Sequence, residues 1–187
     1  MSKKKILHLI PYYSQLSEHN WQERGFTSKE EALSWQNRSC GMACIKMVLD
    51  SHSAHTGIKF ADLIAEMQEK GVYKEGVGCV HQGIADELNS RNIDAQRIKI
   101  TDVSKLKRII NEGNICIVSV GAGFIDGKKS GHLVPLIGYV ENDGVVESVI
   151  VHNTSSYHGW QWPEKEIDVD RFFEHFSGNG IRVRVYN

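Results

Sequence analysis

The stretch WQNRSCGMACIKMVL, residues 35–49, decides how the rest of the chain is read. Asn37 and Ser39, both able to accept backbone N–H bonds, lead into Cys40. From Cys40 onward apolar residues continue with few polar interruptions, the pattern of a buried helix. A thiol in the first turn of such a helix feels the positive end of the macrodipole, which favours the thiolate, the reactive form. Cys40 is therefore a candidate nucleophile.

Two downstream segments supply what a nucleophilic thiol needs. Residues 131–139, GHLVPLIGY, set His132 at the mouth of an apolar strand, and residues 149–153, VIVHN, end a second strand in Asn153. Cys, His and Asn in this order are the parts of a thiol protease triad. Taken alone, Cys40 reads better as a small packing residue and His132 as an ordinary strand-end residue. The three together, each on a suitable element, favour catalysis.

These motifs resemble the papain-like superfamily, and within it the bacteriocin-leader (double-glycine) peptidases and their stand-alone relatives. The resemblance rests on Cys40-Gly41-Met42-Ala43 at the helix start, on Gly131-His132 opening a strand that closes in Gly138-Tyr139, and on Asn153 closing the next. It runs from about Trp35 to the segment around Phe172 and Ile181 and leaves the first thirty or so residues uncovered. It implies a papain-like α+β fold, with the nucleophile on a central helix and an antiparallel sheet presenting His132 and Asn153. It also implies a glutamine about six residues before the cysteine to hold the oxyanion. Ser34 occupies that position here and Gln36 lies closer, so Gln36 is the candidate, with Asn37 as an alternative.

Composition agrees with one compact domain over 1–187. The chain has 187 residues, 41% hydrophobic and 24% charged, enough for one sizeable core. A formal net charge of −1 gives no electrostatic case for nucleic acid or a membrane surface as partner. Lys3, Lys4 and Lys5 before an apolar run resemble the start of a signal peptide, but His8 interrupts the run and Pro11 ends it, so a first strand is the better reading. No apolar stretch is long enough to span a membrane. The four cysteines, at 40, 44, 79 and 116, show no paired metal spacing and read as a reduced, cytoplasmic set.

Periodicity predicts a short helix over 28–35 begun by a Ser28–Glu31 capping box, the Cys40 helix to about 51, and helices over 60–70, 80–91, 103–112 and 170–176. Strands are expected over 95–100, 115–120, 132–140, 145–152 and 181–186. The Gly-rich stretch 121–130 lacks the phosphate-loop ending and is read as the connection before the His132 strand.

By this reading Cys40 attacks a carbonyl, His132 moves the proton, and Asn153 orients the His132 ring through its amide oxygen. The Cys40 N–H and Gln36 hold the oxyanion. His152, beside Asn153, is a rival base, but alternation turns the two to opposite faces. His52 and His55 lack a third convergent ligand, so neither a metal nor a cofactor is expected. His81, Trp160 and Trp162 fit either core or cleft wall. The expected activity is hydrolysis of peptide or isopeptide bonds in a peptide or protein substrate, with small residues such as Gly-Gly beside the scissile bond. Two other readings stand beside it: transglutaminase-like acyl transfer by the same triad, and an inactive papain-like module that binds peptides.

Overall fold

A computed structural model describes residues 3–121, 124 and 131–185. The expected connection over 121–130 lies outside the described residues except for Gly121 and Phe124. The elements follow in the order β1 (Lys3–Leu7), α1 (Lys29–Gln36), α2 (Cys40–Asp50), a 3-10 turn (Ser53–His55), α3 (Phe60–Glu69), β2 (Tyr73–Lys74), β3 (Gly78–Cys79), α4 (His81–Ser90), β4 (Ala95–Lys99) and α5 (Val103–Asn111). The sheet is then completed by β5 (Asn114–Val120), β6 (His132–Asn142), β7 (Val145–Asn153), β8 (Trp162–Asp168) and β9 (Phe176–Arg184), with α6 (Val169–His175) before the last strand.

Seven strands form one antiparallel sheet in the order β4-β9-β5-β6-β7-β8, with β1 pairing β6 beside this path. The long β6 makes that arrangement possible: β5 pairs its first half and β1 its second. Gly138 lies where β1 arrives. A Cβ there would collide with the Ile6 carbonyl oxygen, so only glycine lets the two backbones come this close.

The sheet carries helices on both faces. On one side α2, α3 and α4 pack with Ile117, Leu133, Ile137, Ile150 and Ile181. On the other, Leu106, Ile109 and Ile110 of α5 and Phe172 of α6 pack with Cys116, Val118, Val134, Leu136 and Val151. Period-2 alternation along β5 explains the split, because Ile115 and Ile117 serve one core while Cys116 and Val118 serve the other.

Helix α2 is central, as its apolar pattern requires: every residue from Gly41 to Leu49 is buried. At about 1.5–3 kcal/mol for each large side chain buried, this helix is tied into the core along its whole length. Lys46 is buried with it, and its ammonium group pairs with Asp50 one turn on. Asp102 caps α5, its Oδ1 accepting from the Lys105 N–H at 2.8 Å. At α1 the Ser28 hydroxyl caps the helix, but the Glu31 carboxylate reaches back one residue further than expected, to the N–H and hydroxyl of Thr27.

Two features depart from the sequence reading. β8 was not expected, because it is an edge strand with Pro163 and a left-handed Glu164 (φ 50°) and buries little. The β2–β3 hairpin has only two residues in each strand, too short for any period to register.

Candidate active site

Cys40 is the first residue of α2 and Ser39 its N-cap, yet the Ser39 hydroxyl makes no capping bond and is buried without a partner among the described residues. Its backbone (φ −101°, ψ 18°) is out of the extended region that a capping side chain uses. Of the two cap candidates, Ser39 therefore makes no side-chain cap, and the Gly41 N–H is hydrogen-bonded to the Cys40 sulfur. One turn further, the Cys44 thiol donates to the Leu133 carbonyl at 3.5 Å. That contact pins α2 to β6 beside His132, so the one-turn spacing of the two cysteines aims Cys40 at the imidazole.

His132 opens β6 and Asn153 closes β7. Extending the register of the Leu136–Val151 pair sets the two as diagonal neighbours on one face. His132 Nε2 lies 3.1 Å from Asn153 Oδ1. The Asn153 amide cannot turn over without loss, since its Nδ2 donates to the Trp160 carbonyl and its Oδ1 also accepts from the Ser155 N–H at 3.2 Å. With Nε2 on Asn153, Nδ1 is the nitrogen left for Cys40. Burial alone would push the Cys40 thiol up. The hydrogen bond and charge of His132, with the N–H groups of Leu133 and Gly41, outweigh it and hold the thiol below its ordinary pKa.

The other three thiols go the opposite way. Burial raises Cys44 well above its ordinary value and raises Cys79, in both cases aided by the charge on Cys40, and it pushes Cys116 up to about 12. A low pKa persists as thiolate when the medium turns mildly acidic, whereas raised thiols are protonated there. Iodoacetamide at mildly acidic pH is therefore expected to label Cys40 and leave the other three unmodified, as read by peptide mapping of the folded protein. Equal labelling of all four would refute the assigned thiolate.

His152 faces away from the site. It is buried, with Nε2 3.1 Å from the Ile10 carbonyl oxygen and Nδ1 accepting from the Glu164 N–H. His81 belongs to the cleft wall. Together with Cys40, His132, Cys79 and the β2–β3 hairpin it lines an open cleft of about 430 Å³. Trp160 and Trp162 pack ring against ring at 4.9 Å beside the second core. Among the described residues no group of three metal-binding side chains comes together.

Gln36 ends α1, and its side chain is already engaged: Nε2 donates to the Ser156 carbonyl at 3.3 Å and Oε1 accepts from the Ser17 N–H at 3.4 Å. Asn37, the alternative, is an exposed residue of the cleft rim. A second glutamine, missed in the sequence, is more central. Gln15 is 1% exposed, donates to the Gln36 carbonyl at 2.9 Å, and accepts from the Thr154 hydroxyl at 3.0 Å. Thr154 in turn lies 3.4 Å from His132 Nε2. Arg24 fixes this loop by donating to the Ser14 carbonyl and the Ser17 hydroxyl. A signal was present: the polar run Asn153, Thr154, Ser155 and Ser156 after an apolar strand is buried throughout, which demands polar partners from elsewhere in the chain.

Among the described residues, six helices around an antiparallel sheet make an α+β fold that matches papain-like C39 peptidase structures. The chain belongs to the Peptidase_C39 like family, whose model matches residues 8–178 and so takes in the loop that carries Gln15. It is thus a member of a cysteine peptidase family. Solved structures similar in fold include a protein assigned as a C39-like peptidase from Bacillus anthracis (15% identity, TM-score 0.60, 96% of this chain and 97% of that one). The peptidase domain of Streptococcus ComA, a bi-functional ABC transporter involved in quorum sensing, is also similar (19% identity, TM-score 0.56, 80% and 93%). So is a double glycine motif protease from an AMS/PCAT transporter, solved with its leader peptide (13% identity, TM-score 0.57, 100% and 100%). No curated protein matches the sequence. No helix among the described residues is long and apolar enough to cross a membrane.

Proposed function

We propose that this chain is a cysteine peptidase in which Cys40 is the nucleophile, His132 the general base and acid, and Asn153 the residue that orients His132. The observation that carries the reading is the single imidazole shared between the Cys40 thiol and the Asn153 amide at the rim of an open cleft. In this mechanism the Cys40 thiolate attacks the scissile carbonyl and the His132 imidazolium gives its proton to the departing amine. Neutral His132 then takes a proton from water, which hydrolyses the thioester. The amide oxygen of Asn153 holds the ring without adding a full charge. The Cys40 N–H at the start of α2 stabilises the oxyanion.

The side-chain donor to that oxyanion is Gln36 or Gln15. Each NH₂ group has one hydrogen already directed to a carbonyl, which leaves a second for the oxyanion. The substrate is a peptide or protein with small residues such as Gly-Gly beside the scissile bond; Gly76, Gly78 and Gly131 among the lining residues let its backbone come close to the cleft wall. The four free thiols accord with a reducing, cytoplasmic setting for the chain as a single domain.

Turnover of a peptide with Gly-Gly before the scissile bond tests the assignment. Asn153→Ala is expected to keep measurable activity, because water replaces part of its hydrogen bond. Removing the glutamine that serves the oxyanion lowers kcat by about 10²-fold with KM little changed, and removing the other lowers it far less. Adding a primary amine leaves the product a free carboxylate, by mass spectrometry. An amide product would replace hydrolysis with acyl transfer.

A further inference from the structure

Cys79 plays no part in the proposed hydrolysis, yet it stands against the nucleophile. It lies in β3 on the wall of the same cleft, and its side chain covers the Cα of Gly41, the residue next to Cys40. A Cβ at Gly41 would lie 2.5 Å from both Cβ and Sγ of Cys79. The sulfur contacts Met42, also at the start of α2, through Sδ at 3.1 Å and through the backbone N–H. Cys79 ends a hairpin whose tip, Val77, is 75% exposed, flanked by Gly76 and Gly78 with φ of 74° and 90°. That tip is held by few buried contacts and can yield. Cys44, the other nearby thiol, is fully buried one turn along the same helix, a spacing poorly aimed for a disulfide.

We propose that Cys40 and Cys79 form a reversible oxidation site for a hydroperoxide, in which Cys79 resolves the oxidised nucleophile as an intramolecular disulfide. The Cys40 thiolate attacks the terminal peroxide oxygen. An S–O bond forms, the O–O bond breaks, and the alkoxide or hydroxide leaves with the proton of the His132 imidazolium. Cys40 is then a neutral sulfenic acid. The Cys79 thiol gives its proton to water in the open cleft and attacks the Cys40 sulfur. The S–S bond forms, the S–O bond breaks, and the hydroxyl departs as water with that proton. Two thiols are oxidised and one peroxide is reduced.

The electrostatics favour this order. Burial keeps Cys79 protonated at rest, and the Cys40 charge adds to the effect. Oxidation of Cys40 removes that charge, so Cys79 becomes more acidic only when a sulfenic acid is there to trap. The disulfide closes the cleft chemically and protects Cys40 from irreversible sulfinic acid, and a dithiol reductant restores both thiols.

The test treats the reduced full chain with hydrogen peroxide and follows intact and peptide masses, which requires no turnover and so stands apart from the test of hydrolysis. Wild type is expected to lose the two thiol hydrogens, yield a Cys40–Cys79 linked peptide, and regain iodoacetamide labelling of Cys40 after dithiothreitol. Cys79→Ser and Cys79→Ala, two side chains of different polarity at the same site, are expected to gain two oxygens on Cys40 that dithiothreitol does not remove. The proposal is overturned if wild type accumulates sulfinic acid as fast as these variants. It is equally overturned if the link joins Cys40 to Cys44 or to a second molecule, or if Cys40 remains a free thiol throughout.

Discussion

Replacing either Cys40 or His132 by alanine is expected to reduce hydrolysis of a Gly-Gly peptide by at least roughly 10⁴-fold, with the fold intact by circular dichroism. Among the described residues His132 is the histidine that acts on the Cys40 thiol. Cys79 is the other thiol lining the cleft, but burial holds that thiol protonated and no imidazole contact lowers it. His152 cannot stand in for His132, because both its nitrogens are committed to the Ile10 carbonyl and the Glu164 N–H. The two losses are also expected not to add, since a nucleophile and its base act as one unit and the double variant is as slow as either single one. A His132→Ala protein that keeps full activity would end the assignment. His81, which shares the cleft with Cys40, would then be the base to test.

That cleft was only partly legible in the sequence. The α2 helix and the strands that carry His132 and Asn153 were readable because each is strongly patterned and each places its candidate residue at an element end. The diagonal His132–Asn153 relation follows from strand alternation, and the same alternation correctly turned His152 away. What stayed hidden depends on contacts between distant segments. Gln15 reaches Thr154 across 139 positions, and nothing in its local sequence distinguishes it from an exposed glutamine. Cys79 sits on a two-residue strand that has no period to detect, and its proximity to Cys40 exists only once α2 is packed. Ser39 misled because cap-competent residues are recognised by type, whereas capping depends on backbone angles that the turn from α1 into α2 sets otherwise.

Gly41→Ala is expected to destabilise the protein by about 1–3 kcal/mol, although helix propensity alone favours alanine by up to about 1 kcal/mol. The opposing term is steric. The new Cβ would lie 2.5 Å from Cβ and Sγ of Cys79; the sulfur can turn about χ1, but Cβ is fixed to the β3 backbone and cannot swing aside. Leu133 Cδ1, at 3.3 Å, can give by a few tenths of an ångström. Relief must therefore come from α2 or from the β2–β3 hairpin, and both bound the cleft. Turnover should fall together with stability, because a shift of α2 moves the Cys40 sulfur away from an imidazole fixed separately by Asn153. Cys79→Gly removes both clashing atoms, so Gly41→Ala made in that background should cost clearly less than it does in the wild type. Chemical denaturation of the four proteins of this cycle measures the coupling directly. A Gly41→Ala protein as stable and active as wild type would mean that Cys79 does not press on the start of α2, and the contact that places it beside Cys40 would be lost with it.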